Sequence, residues 1–84
     1  LGVILIGNNP ASKTYVANKE SAAKEAGFET FNIHLPEEAT FDQAKEAILS
    51  FNKNSNVDGI LLQLPLPKHL DADELLKLID PNKD

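Results

Sequence analysis

The chain has 84 residues and a formal net charge of −5, and its eight basic residues are all lysine. That length bounds it to one small α/β unit with a thin core. The charge is uneven, with three lysines against two glutamates in residues 1–27 and five lysines against eleven acids in residues 28–84, which argues against a nucleic-acid surface.

Cysteine is absent, which excludes a disulfide framework and thiolate chemistry and fits a cytoplasmic setting. No apolar run approaches the roughly 20 residues of a membrane span. The chain begins at Leu1 inside an apolar run and stops at Asp84 just past a predicted helix. Both ends are therefore expected to be cuts in a longer protein.

Residues 1–6 are apolar and read as a strand buried on both faces, as in parallel sheets. Gly7-Asn8-Asn9-Pro10 breaks it. Asn9 as N-cap with Pro10 at the first helical position starts a helix, Ser12 being an alternative cap. That helix runs to Ala26, and Gly27 stops it. Residues 28–35 alternate, with Phe31, Ile33 and Leu35 on one face and Thr30, Asn32 and His34 on the other. This pattern predicts a strand with one wetter face near a sheet edge. His34 reads as a surface histidine, since nothing at metal-ligand spacing accompanies it.

After the loop Pro36–Ala39, Thr40 and Gln43 form a capping box. Phe41, Ala44, Ala47, Ile48 and Phe51 make the inward stripe of a second helix. Asn52-Lys53-Asn54-Ser55-Asn56 reads as a solvated turn. Ile60–Leu62 is a third buried strand, and Gln63 interrupts it near its carboxyl end. Pro65 and Pro67 predict an extended, rigid exit. Asp71 with Glu74 caps a last helix carrying Leu75, Leu76, Leu78 and Ile79, and Pro81 blocks its continuation. The order βαβαβα predicts a three-layer α/β unit with a parallel sheet and right-handed crossovers.

One feature of the first helix is out of pattern. On a helical wheel Ala22, Tyr15, Ala26, Lys19, Ser12, Ala23 and Val16 fall on one arc of roughly 120°. Lys19 is thus expected near the middle of the face turned to the protein, one turn after Tyr15. A lysine there either snorkels to water or serves as a functional amine in a semi-enclosed pocket, where partial desolvation suits it to proton exchange. Ligands of parallel sheets sit beyond the carboxyl ends of the strands. If the first and third strands are neighbours, Lys19, Tyr15 and Gln63 share one rim. An amine, an aromatic face and an amide suit a flat, amide-bearing ligand. For Tyr15 the structural alternative is a core aromatic with its hydroxyl at the rim, and for Gln63 a strand end bonded to backbone.

Other signatures are missing. Gly7-Asn8-Asn9-Pro10 is neither a Gly-x-Gly-x-x-Gly loop nor a P-loop, and the second strand ends in His34-Leu35 without an acid for a ribose. No dinucleotide is assigned to this segment, and no Ser/His/Asp or Cys/His set is evident.

Three runs carry a resemblance: Gly7-Asn8-Asn9-Pro10-Ala11-Ser12 with Tyr15-Val16-x-x-Lys19; Val57-Asp58-Gly59-Ile60-Leu61-Leu62-Gln63-Leu64-Pro65-Leu66-Pro67; and Ile79-Asp80-Pro81-x-Lys83-Asp84. Together they resemble the N-terminal catalytic domain of the methylenetetrahydrofolate dehydrogenase/methenyltetrahydrofolate cyclohydrolase (FolD) family across nearly all 84 residues. The resemblance implies that residues 1–84 form a folate-binding catalytic domain truncated at both ends. It places the catalytic lysine on Lys19, a stacking tyrosine on Tyr15 and the active-site glutamine on Gln63. Val16, Leu62, Leu64 and Pro65 join these three in the implied substrate site. It further implies a folate substrate, NADP bound mainly by a following Rossmann domain absent here, and a cytoplasmic homodimer. A pterin-binding aspartate of the family would lie just past Asp84. Competing readings are a family member with only one of the two activities, and a non-catalytic flavodoxin-like binding domain in which Lys19 is structural.

Overall fold

The computed structural model describes residues 1–84. Strand β1 (Gly2–Ile6) is followed by helix α1 (Pro10–Glu25), strand β2 (Phe31–Leu35), helix α2 (Phe41–Lys53), strand β3 (Ile60–Leu62), the short helix α3 (Ala72–Leu76) and a 3₁₀ turn at Pro81–Lys83. The three strands form one parallel sheet in the order β2-β1-β3, with Ile4 paired to Ile33 on one side and Leu62 on the other. The central strand is buried along its whole length, which is why it carries no polar side chain.

The two faces of β1 serve two cores. Val3 and Leu5 pack with Val16 of α1, and Leu61 adds to them from β3. Ile4 and Ile6 point the other way, into the larger core with Ala44, Ala47, Ile48 and Phe51 of α2 and Leu75 of α3. The layers are therefore α1, sheet, and α2 with α3. The crossovers β1-α1-β2 and β2-α2-β3 move in opposite directions across the sheet, and connections of one hand then require helices on opposite faces. The chain obeys this, and the loops leaving β1 and β3 diverge to opposite faces. Parallel sheets bind ligands at such a point.

Local signals set the helix ends. The Asn9 side chain accepts from the amides of Ala11 and Ser12, with Pro10 in the first turn. Thr40 and Gln43 complete a reciprocal capping box. At the end of α1 the Gly27 amide donates to the Lys24 carbonyl at 3.0 Å and the Phe28 amide to the Ala23 carbonyl at 2.9 Å. This is a Schellman closure, which needs a left-handed residue; Gly27 has φ +87°.

Several expectations require correction. Strand β2 starts at Phe31 rather than Phe28, and α3 ends at Leu76, leaving Leu78 and Ile79 in the following turn. The exit from β3 bends at Leu64 and Pro65, with a cis peptide between them, instead of running straight. Asn52 is no solvated turn former. It lies in α2, donates from Nδ2 to the Leu78 carbonyl at 2.8 Å and accepts at Oδ1 from the Asp80 amide at 2.9 Å. Beside it the Lys83 ammonium donates to the carbonyls of Phe51, Asn52 and Asn54, each at 2.9 Å. All three ammonium hydrogens thus reach carbonyls at the α2 carboxyl end, where positive charge is favoured; those of Phe51 and Asn54 also accept the amides of Asn54 and Val57.

A Cβ added at Gly27 would meet no atom within 4 Å, so substitution there isolates the backbone term. Gly27→Ala is expected to destabilise the protein by about 1–2 kcal/mol and Gly27→Asn by less, because asparagine tolerates the left-handed region. Urea unfolding of the two variants checks the order.

Candidate functional site

The carboxyl ends of β1 and β3 lie side by side, and the segments leaving them carry the residues in question. The Gln63 amide N–H continues the ladder to the Ile4 carbonyl at 3.0 Å. This fixes the backbone of Gln63 one residue beyond β3, on the same strand face as Leu61, which is the face covered by α1. The side chain is 6% exposed and both its polar atoms are engaged. Nε2 donates to the Leu64 carbonyl at 2.9 Å, and Oε1 accepts from Lys19 Nζ at 3.1 Å. A carbonyl can only accept and an ammonium can only donate, so these two partners set one orientation of the amide.

Lys19 reaches Gln63 from α1 across 44 positions of sequence. It lies, however, on an exposed flank of the helix and not at the centre of the inward face. The inward line runs through buried Ser12 and Val16 and half-buried Glu20 and Ala23. Two contacts explain the rotation. Ser12, small and 1% exposed, lets the helix start approach the sheet closely, and its Oγ donates to the Leu64 carbonyl at 3.5 Å. Glu20 is drawn toward β2 by Asn32, whose Nδ2 donates to Glu20 Oε2 at 3.0 Å. The turn carries Lys19 and Tyr15 to the opposite flank, and Tyr15 is 54% exposed. The ammonium thus reaches both water and a fixed acceptor. The one ion pair of the chain joins Lys77 and Glu74, so Lys19 has no carboxylate partner.

The remaining expected residues separate. Leu64 is 43% exposed and Pro65 is exposed, both at the rim. Val16 is buried against Val3 and Leu5 beneath the helix. The side chain of Leu62 points into the α2 core with Ile4 and Ile60, on the face away from Lys19; a strand alternates its side chains, and Leu61 is the residue that shares the face of Gln63. That alternation was available in the sequence. The part played by Ser12 was not, because a buried serine on an inward arc is indistinguishable there from a helix cap.

A concavity of about 340 Å³ opens next to the site, between the loop Gly7–Pro10, Glu37 and the segment Pro65–Pro67. Lys19, Tyr15 and Gln63 lie outside it, so the amine and the tyrosine present an open shelf, not a closed pocket. The start of α1 offers no phosphate cradle. Asn9 Oδ1 occupies the amides of Ala11 and Ser12, the Asn9 carbonyl takes that of Lys13, and Pro10 has none to give. No group of three or more His, Cys, Asp or Glu converges as a metal site, and no helix is long and apolar enough to cross a membrane.

Comparison with known proteins gives a consistent picture. The profile of the tetrahydrofolate dehydrogenase/cyclohydrolase catalytic domain matches residues 1–84. The bifunctional protein FolD of Prochlorococcus marinus (strain MIT 9211) is 54% identical over all 84 residues, which span 28% of that relative. The crystal structure of the bifunctional FolD methylenetetrahydrofolate dehydrogenase/cyclohydrolase from Campylobacter jejuni superposes with a TM-score of 0.96 at 43% identity, covering 99% of this chain and 29% of that one. The FolD of Trypanosoma brucei, complexed with NADP cofactor and an inhibitor, gives a TM-score of 0.96 at 35% identity, covering 99% of this chain and 28% of that one. The chain thus spans under a third of the length of the relatives it matches. With a parallel βαβαβα unit, a lysine and a glutamine joined at its rim, and a profile match from first residue to last, the chain belongs to the tetrahydrofolate dehydrogenase/cyclohydrolase catalytic domain family.

Proposed function

We propose that residues 1–84 supply the folate side of a methylenetetrahydrofolate dehydrogenase/methenyltetrahydrofolate cyclohydrolase, with Lys19 as the catalytic amine. The observation that carries this reading is the 3.1 Å bond between Lys19 Nζ and Gln63 Oε1, because it aims the only amine on the shelf toward the end of β3. Tyr15, exposed one turn earlier, would stack on the flat part of the folate. Leu64 and Pro65 would border the ligand opposite it, Val16 would support the shelf from below, and Leu62 would contribute through the backbone that leads into Gln63.

The hydrolytic step consumes a methenyl cation and water. A C–O bond forms as water adds to the bridging carbon and loses a proton. The carbinol hydroxyl then gives up its remaining proton as the C=O forms, the C–N5 bond breaks and N5 gains a proton, which leaves the formyl group on N10. Overall one proton is released. Lys19 would carry these proton transfers, and Gln63 would hold its nitrogen over the reacting carbon. A bound folate would also cover the amine from water.

The dehydrogenase step requires a hydride acceptor, and the Trypanosoma relative holds NADP. The residues present here do not fit that group, since the amides at the start of α1 are filled from within the chain. NADP would be held by sequence outside residues 1–84. A cytoplasmic homodimer belongs to the same proposal on the strength of the family resemblance.

Hydrolysis of 5,10-methenyltetrahydrofolate by the complete gene product, followed by absorbance, tests the reading. Lys19→Ala is expected to lower the rate at least about 100-fold, the scale of general acid–base catalysis. Its melting temperature should stay within a few degrees of the parent, since the side chain it removes is exposed. An unaltered rate would return Lys19 to a snorkelling role, and an inactive parent would leave a dehydrogenase-only or binding protein.

Gln63→Ala is expected to lose about 100-fold in kcat/KM, which is about 2.7 kcal/mol. The same change should cost only about 1 kcal/mol of stability, because the Leu64 carbonyl keeps Ser12 as a donor. The opposite ranking in paired kinetic and unfolding measurements would reduce Gln63 to a strand cap.

A further inference from the structure

Three loops make the rim: Gly7–Asn9 after β1, Pro36–Thr40 after β2, and Gln63–Asp71 after β3. The third carries Gln63, Leu64 and Pro65; Leu70 is buried in the larger core and Leu66 packs against it, but few hydrogen bonds hold the loop. Pro65 and Pro67 have no amide hydrogen to donate, and the amides of Leu64 and Leu66 make no hydrogen bond within the chain. Its upstream end is fixed by the Gln63 ladder bond and by the bonds around the Leu64 carbonyl. Between Pro65 and Leu70 a single hydrogen bond ties the loop to another element: His69 Nε2 donates to the Ala39 carbonyl at 2.8 Å. The Leu70 amide bonds only locally, to Pro67 at 3.0 Å.

The other histidine of the chain does the same for the first loop. His34 Nε2, from the end of β2, donates to the Gly7 carbonyl at 2.8 Å. Since a carbonyl oxygen only accepts, Nε2 carries the hydrogen in both rings. The two bonds join the three loops in series: the β1 loop to β2, and the β2 loop to the β3 loop. Ala39, the acceptor of His69, is 1% exposed, so the tie ends on a point fixed in the core.

We propose that His69 is a positioning residue of the folate site. By anchoring the downstream half of the β3 loop it holds Leu64 and Pro65 in the place a flat substrate meets. His34 is the matching tie of the loop that starts α1. The proposal rests on the folate reading above. The residues that His69 positions contact the substrate in ground state and transition state alike, so its loss raises KM and spares kcat.

The test uses the complete gene product and 5,10-methenyltetrahydrofolate. His69→Phe keeps a ring without a donor, whereas His69→Gln returns an amide N–H near the position of Nε2. The expected result is a KM raised about fivefold in His69→Phe, about 1 kcal/mol by the factor-of-ten rule, with kcat within about twofold and near-parent values in His69→Gln. An unchanged KM in His69→Phe overturns the proposal. So does an equal rise in both variants, which would make ring packing the cause. If His69→Phe does not fold, ¹⁵N chemical shifts of the histidines in the unsubstituted protein decide. A neutral His69 ring protonated on Nε2 supports the tie, and one protonated on Nδ1 overturns it. Absence of hydrolysis in the parent strikes the folate reading and this proposal with it, while an active parent with an indifferent His69→Phe strikes the positioning role alone.

Discussion

Because β1 is paired along both edges and covered on both faces, it determines where every other element can lie. Val3, Ile4, Leu5 and Ile6 are all buried, and each such side chain is worth about 1.5–3 kcal/mol. Four of them together approach the whole stability of a typical domain, about 5–15 kcal/mol. Their alternation divides the protein in two. Val3 and Leu5 call α1 to one face, while Ile4 and Ile6 call α2 to the other. The divergence of the β1 and β3 loops follows from that division, and so does the rim on which the polar residues meet.

On that rim the choice of glutamine at position 63 has a physical reason. The side chain must accept from an ammonium at one atom and donate to a carbonyl at the other. A glutamate could accept from Lys19 but would set a carboxylate against the Leu64 carbonyl, and a leucine could do neither. Burial sharpens the requirement, since an unmet partner at this depth costs about 1–3 kcal/mol. The Leu64 carbonyl in turn takes a second donor, Ser12, so the start of α1, its middle and the end of β3 share one polar junction.

Much of this was legible in the sequence, for reasons that differ by element. The caps of α1 and α2 are local chemistry, and Asn9, Thr40 with Gln43, and Gly27 could be read without knowing the fold. The doubly buried β1 is a continuous apolar run and the half-wet β2 a period-two alternation, patterns that survive in any parallel sheet. The angular setting of α1 was not legible. Its wheel has too few apolar residues to define a face, and small contacts at Ser12 and Glu20 set the rotation. Long-range polar ties were hidden for a related reason. Asn52, His69 and Lys83 act on carbonyls and amides of segments remote in sequence, and nothing in the residues themselves names those partners. The pairing of Lys19 with Gln63 was readable because both stand out as polar residues beside apolar runs, and alternation along β3 turns the side chain of Leu62 to the α2 core.

Helix α1 shows how an exposed amine can still be placed accurately. Of its sixteen residues only Ser12 and Val16 are buried, so apolar packing alone would leave it free to roll about its axis. Two adjacent residues prevent this. Glu20 accepts from Asn32 of β2 on one flank, and Lys19 donates to Gln63 beyond β3 on the other. Successive helical positions diverge by about 100°, so neighbours in sequence can brace opposite sides of one helix. The braces are unequal. Asn32 is exposed and meets water as readily as Glu20, while Gln63 is buried and held at both ends of its amide. The stiffer brace therefore lies on the side of Lys19, and the ammonium is positioned by its acceptor rather than by the walls of a pocket. An amine held this way stays open to solvent and ligand while keeping its direction, which is the combination that the proposed proton transfer on a flat folate would require.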